Sequence, residues 1–177
     1  MSDSPPAQTL GFLSVVHEPS GYIGGYLLTN GWGRPVEFRL TSAVQPNRVQ
    51  AALYGDTLIE YVHAELIGKT LIDKSSTPPT LVVTDAPLAL AARNFIPMPV
   101  VAVTPDADQP PPFGTLTFRH ARCRGSILLS DKHAADQSRI EQQLAHIDSS
   151  VDLLEPFLRI REAMAEARKM GVMSRAA

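Results

Sequence analysis

Residues 81–103 read LVVTDAPLALAARNFIPMPVVAV, and this stretch decides the fold class. Leu81 to Thr84 and Val100 to Val103 are short, continuously apolar, valine-rich runs, the pattern of strands buried on both faces. Between them Asp85-Ala86-Pro87 is a helix-start signal with proline in the first turn. Leu88, Ala91, Ala92 and Phe95 carry a short helix, which Pro97 and Pro99 end. Strand, short helix, strand is a βαβ unit, and its right-handed crossover sets two parallel strands in one sheet.

Upstream the pattern is antiparallel. Leu10 to Val16 is an apolar, valine-rich strand, Glu18 to Gly21 a turn, and Tyr22 to Thr29 a second strand. Gly24 and Gly25 interrupt that strand and signal a bulge or a close backbone approach. Asn30 to Gly33 is a turn, after which Val36, Phe38 and Leu40 alternate with Glu37, Arg39 and Thr41 in the period of two of a half-solvated strand. Short turns between three strands imply a meander. Pro46 and Asn47 then open a helical stretch weakened at Gly55 and Asp56. Thr57 to Glu60 has capping-box spacing, and Ile59, Val62, Leu66 and Ile67 form the expected buried stripe.

Downstream, Asp106 to Pro112 reads as a loop, Leu116 and Phe118 alternate in a strand, and Ile127 to Leu129 is a last short one. Ile140, Leu144, Ile147, Val151, Leu154 and Leu158 follow the 4,3 spacing of a heptad seam. Pro156 interrupts it, so one helix is expected to end or kink near Leu154 and another to run to about Met170, stopped at Gly171. The expected architecture is a tail over residues 1–8 and one α/β domain over 9–133 with a mixed sheet of five to seven strands. An amphipathic helical segment over 134–177 follows, packed on that sheet or on a partner.

The 177 residues carry 16 Lys plus Arg against 18 Asp plus Glu, and 44% are hydrophobic, which fits one globular domain with a sizeable core. The near-neutral balance argues against bulk electrostatic binding of nucleic acid. No apolar run approaches a membrane span, and the N-terminal residues lack a basic, apolar leader pattern. The expectation is a cytoplasmic protein without membrane contact. One cysteine, Cys123, excludes an internal disulfide and a four-cysteine zinc site. The 15 prolines fall in the tail, in loops and beside helix ends.

Several residues carry possible chemistry. Gly68-Lys69-Thr70 ends like a phosphate-binding loop, but His63 stands where that loop needs its first glycine, so the segment reads as a helix end. Asp85 follows a buried strand, where open α/β sheets place ligands and metals, and it is also well placed to cap the next helix; capping is the favoured reading. His17 and Glu18 are read as polar residues flanking a turn. Ser14 and His17, three apart on a strand, point to opposite faces and make no nucleophile pair. Cys123 lies between Arg122 and Arg124, which would activate a thiolate, although a half-buried structural thiol is favoured. Arg119, His120, Arg122 and Arg124 form the densest basic patch, suited to phosphate or a carboxylate-rich partner. Trp32, between two glycines, is read as a lid over the core, with an exposed binding aromatic as the alternative.

The order of elements from 9 to 104, three antiparallel strands, a helix, a strand, a short helix and a strand, with helices at the C-terminal end, resembles the ribonuclease H-like fold. That resemblance implies acids from the first strand, the first main helix and the end of the fourth strand, together holding two metals for phosphodiester cleavage. Glu60 or Glu65 would be the helix acid and Asp85 the fourth-strand acid, with magnesium as cofactor. The first strand offers only Ser14 as a polar group. The functional expectation is therefore a non-enzymatic interaction or scaffold protein without a cofactor. It would bind a protein partner or self-associate through the seam residues, with Arg119, Arg122, Arg124 and Trp32 as further contacts. A magnesium-dependent nuclease using Asp85 and Glu60 or Glu65 is the alternative, and nucleic acid contact is weakly indicated.

Overall fold

The structure, a computed structural model, describes residues 8–106 and 108–171. The expected tail falls outside these residues except for Gln8, whose side-chain oxygen accepts from the Thr80 hydroxyl at 3.0 Å. Seven strands form one mixed sheet: β1 (Thr9–Glu18), β2 (Gly21–Asn30), β3 (Pro35–Leu40), β4 (Leu81–Thr84), β5 (Val100–Thr104), β6 (Thr115–Phe118) and β7 (Ser126–Ser130), in the order β3-β2-β1-β4-β5-β7-β6. The meander β1-β2-β3 is antiparallel, and β4 pairs in parallel with both β1 and β5. The fold is therefore α/β, with the βαβ unit of residues 81–103 at its centre. The β6-β7 hairpin adds an antiparallel extension through β7.

Alternation along the strands gives the sheet two apolar faces, and both are covered. On one face Leu13, Tyr26, Leu28, Val82 and Val100 meet Val62, Ile67 and Leu71 of a helical run over 58–73, and Ala89 and Leu90 of the 3-10 helix Pro87–Asn94. On the other face Leu10, Phe12, Leu27, Val83 and Val101 meet two later helices. These contribute Ile140 and Leu144 from one and Phe157, Ile160 and Met164 from the other. The helices α1 (Arg48–Tyr54), α2 (Leu58–Tyr61), α3 (Thr70–Asp73), α4 (Gln137–Ala145) and α5 (Pro156–Lys169) are joined by further 3-10 turns at Gly55–Thr57 and Asp131–Asp136.

Several local expectations are corrected. The capping box forms at Asn47 and Gln50, each accepting from the other's backbone N–H, whereas the Thr57 hydroxyl donates to the Tyr54 carbonyl. Between α2 and α3 the helix is π-helical over Val62–Lys69. Widening the turn moves the buried stripe to Val62, Ile67 and Ile72, five apart, and leaves Ile59 exposed. Gly68-Lys69-Thr70 therefore lies inside a helix that continues to Asp73. α4 ends at Ala145, well before Leu154; the heptad spacing through Ile147 and Val151 belongs to a loop that returns the chain to the sheet.

Gly24 and Gly25 mark a close approach on both faces, not a bulge, since β1-β2 pairing is regular through them. A Cβ on Gly24 would lie 2.2 Å from Ile67 Cγ2, and one on Gly25 2.7 Å from Ile160 Cγ2. Adjacent strand residues face opposite ways, so the pair admits the π-helical turn on one side and α5 on the other. Gly25→Val is expected to destabilise the protein by about 1–3 kcal/mol through overpacking. Gly31→Ala, with no neighbour nearer than 3.8 Å, should change stability by less than about 0.5 kcal/mol. Urea unfolding midpoints of the two variants provide the check.

Candidate functional site

Parallel pairing of β1 with β4 sets Leu13 opposite Thr84, which brings Ser14 and Asp85 together at the strand ends. The Ser14 hydroxyl donates to Asp85 Oδ2 at 3.1 Å, and Arg161 of α5 donates to the same oxygen at 3.0 Å. Asp85 is thus not the helix cap. The 3-10 helix is preceded by Ala86 with no side-chain cap, and the Ala86 N–H donates instead to the Thr84 hydroxyl. Burial pushes the Asp85 carboxyl above its ordinary range, against the lowering effect of Ser14 and of the Arg161 charge.

This donor set does not fit a pair of divalent metals. Asp85 already holds a hydroxyl and a guanidinium, and that guanidinium would repel a cation beside it. Ser14 stands on β1 where the resemblance implies an acid. Glu60 is exposed on α2 and lines a separate groove with Leu88, Asn94 and Phe113, while Glu65 lies on the π-helical turn. Among the described residues no group of three or more His, Cys, Asp or Glu side chains is arranged to hold a metal ion. Arg161, which the sequence reading did not single out, is what makes Asp85 an ion-pair partner; nothing in its local sequence distinguishes it from the other arginines of α5.

His17 and Glu18 belong to the β1-β2 ladder. The His17 ring stacks on Tyr22 at 4.1 Å, Tyr22 meets His63 edge-on at 5.6 Å, and Glu18 pairs with Arg168 of α5. His63 Nδ1–H donates to the Ile59 carbonyl, and burial holds this imidazole below its ordinary value. Cys123 is buried, and desolvation pushes its thiol up, the behaviour of a structural thiol.

Most of the arginine patch is engaged within the chain. Arg122 donates to the carbonyls of Ile147 and Ser149, both at 3.3 Å, and Arg124 pairs with Asp152 at 2.6 Å. Arg119 donates once, to the Gly125 carbonyl. Arg122 and Arg124 thus fasten the loop between α4 and α5 to the end of the β6-β7 hairpin, and the Leu153 N–H bonds the Arg122 carbonyl at 2.8 Å in support. The seam residues follow suit. Ile140, Leu144 and Ile147 are buried in the chain's own core, Val151 and Leu154 pack against it, and Leu158 is exposed.

Trp32 is not a lid. It is 69% exposed, in a turn fixed by the Asn30 side chain, whose Oδ1 accepts from the Trp32 and Arg34 N–H groups at 3.0 Å. Beside it a groove of about 370 Å³ is lined by Gly33, Arg124, Val151, Asp152, Glu155 and Arg159. Arg159 donates to the Gly33 carbonyl at 2.8 Å and pairs with Glu155. Val36 and Phe38 continue the apolar surface along β3. Phe38 stands opposite Leu27, on the face that α5 covers over β1 and β2, and is itself left exposed.

Compared with known proteins, the chain matches no family model and no curated sequence. No helix among the described residues is long and apolar enough to cross a membrane.

Because its pKa is raised by folding, Asp85 binds its proton more tightly in the folded state. That contribution is complete below the ordinary value of 3.8 and is lost as pH rises through the raised folded value. Asp85→Asn keeps an acceptor for Ser14 and removes the buried charge. The variant should be at least as stable as the parent at pH 7, with its advantage shrinking toward pH 4, as read from urea midpoints; lower stability at pH 7 would mean that the Arg161 pair outweighs burial. Arg122→Met should cost about 1–3 kcal/mol, since it strips donors from two carbonyls of the α4-α5 loop.

Proposed function

We propose that the protein is a non-enzymatic interaction protein of the cytoplasm that engages a protein partner through the corner formed by the β2-β3 turn. The observation that carries this reading is Trp32, the chain's single tryptophan, held outward by Asn30 above a groove. An exposed tryptophan in a fixed turn costs little entropy to immobilise, and large aromatics with arginine dominate interface energetics. Val36 and Phe38 extend the apolar surface, and Arg124 and Arg159 rim the groove beside their own carboxylates. The C-terminal helices enter this reading through Arg159, and the arginine patch through Arg124; the seam, Leu158 apart, is taken up by the core.

A nuclease reading lacks a supporting observation, because Asp85 is held by Ser14 and Arg161 and no group of three or more His, Cys, Asp or Glu side chains among the described residues is arranged to hold a metal.

A photo-crosslinking residue introduced at Arg34, exposed beside Trp32, should give discrete adducts in cells, and Trp32→Ala should abolish them. The same probe at Glu141, on the outer face of α4, should give none. Equal labelling from both positions, or adducts indifferent to Trp32, would contradict the proposal.

A further inference from the structure

α1 is a helix that the chain's own packing does not account for. Its seven residues, Arg48 to Tyr54, include none that is buried, and it packs chiefly against the 3-10 turn and α2 that follow it. A helix this short is marginal in water unless one face is covered. Yet it is well formed: the reciprocal capping of Asn47 and Gln50 closes its start, and Gly55, at φ +53, turns the chain at its end.

Its apolar face is turned away from the protein. Tyr54 stacks on Tyr61 of α2 at 4.1 Å and marks the side turned to the chain. At about 100° per residue, Val49, Ala52 and Leu53 fall together on the other side. All three are exposed, Val49 at 66% and Leu53 at 79%, whereas an amphipathic helix covered by its own domain buries such residues.

The charges at the two ends of this stripe are opposite. Arg48 begins α1 and Asp56 lies just past its end; both are exposed, and neither has an ion pair among the described residues. The first turn of α1 holds no acid and its last turn no base. Arg48 therefore opposes the helix's own dipole, which favours acids at the start and bases at the end. A lone α1 is weakened by it. A partner that brings the negative end of a second helix to Arg48 reverses the sign of that effect.

We infer that α1 pairs antiparallel with α1 of a second copy about a two-fold axis level with Ala51. An isologous contact needs a patch complementary to itself, and an apolar stripe with opposite charges at its two ends has that property. Val49 of each copy then lies level with Leu53 of the other, and Ala52, small and near the axis, lets the helices approach closely. Arg48 of each copy reaches the C-terminal carbonyls and Asp56 of the other. One short helix a side buries less than the roughly 1,200–2,000 Å² of a stable interface, so the dimer is a weak one, with a dissociation constant of about 10–100 μM.

Sedimentation of the full chain at rising concentration should give a monomer-dimer equilibrium. The decisive variants are those that suit a lone α1. Arg48→Glu and Leu53→Lys each place a charge where the dipole of α1 favours it, so neither should lower the urea midpoint, and each should raise the dissociation constant about tenfold or more. Arg48→Glu combined with Asp56→Arg should restore the dimer. Ala52→Cys should crosslink to itself under mild oxidation, while Arg48→Cys, at the far end of the helix, should not; Cys123 is buried. A chain still monomeric at about 1 mM, a dimer indifferent to Arg48→Glu and Leu53→Lys, or a crosslink at Arg48→Cys in place of Ala52→Cys would overturn the proposal. So would a monomer that binds anionic lipid vesicles through Val49 and Leu53. None of these readouts involves Trp32, so α1 and the β2-β3 corner are tested separately.

Discussion

β1 is the strand on which everything else is hung. It pairs antiparallel with β2 along its whole length and parallel with β4 at its first half, and its two faces are apolar from Leu10 to Leu13. A strand so placed must be covered on both sides, because exposed apolar area on either would be left in water. The helical run over 58–73 and the 3-10 helix of the βαβ unit supply one cover. The other can only come from the chain after β7. The C-terminal helices are therefore half of the core, and Phe157 meets Phe12 edge-on at 5.7 Å to close it.

That requirement explains the charges as well as the apolar groups. α5 is fixed at its middle and near its C-terminal end by ion pairs to strand ends, Arg161 to Asp85 and Arg168 to Glu18. Arg159 reaches back to the β2-β3 turn, and Arg122 and Arg124 hold the loop that delivers α5 to the sheet. Residues that look chemical in isolation, a carboxylate at a strand end and a cluster of guanidiniums, serve to position a helix. Among the apolar groups left uncovered are Trp32 with its β3 flank, Val49 and Leu53 of α1, and Phe113 before β6.

The sequence made the βαβ unit and the meander legible because their signals are local. Valine-rich runs bounded by Pro and Gly leave few alternatives, and period-two alternation at Val36, Phe38 and Leu40 assigns β3 directly. The misreadings come from partners distant in sequence. Arg122 looks like a free cation because the carbonyls it serves belong to Ile147 and Ser149, and Asp85 looks like a cap because Arg161 lies 76 residues away. The heptad spacing across 144–154 imitates a helix because a loop that must return Ile147, Val151 and Leu154 to one apolar surface can show the same intervals. In the run over 58–73 the five-residue spacing of Val62, Ile67 and Ile72 was present but does not fit the α-helical period, and it is the one signal that would have exposed the π-helical turn.

The central claim is that α5 and the sheet form one cooperative core. Native-state hydrogen exchange on the full chain addresses it most directly, by comparing the amides of Ile160 to Ala167 with those of Leu10 to Leu13. If the claim holds, both sets exchange only through global unfolding and share one free energy and one denaturant dependence. Exchange of the α5 amides through a separate, lower-energy opening that leaves β1 protected would contradict it, and would make the C-terminal helices a detachable element.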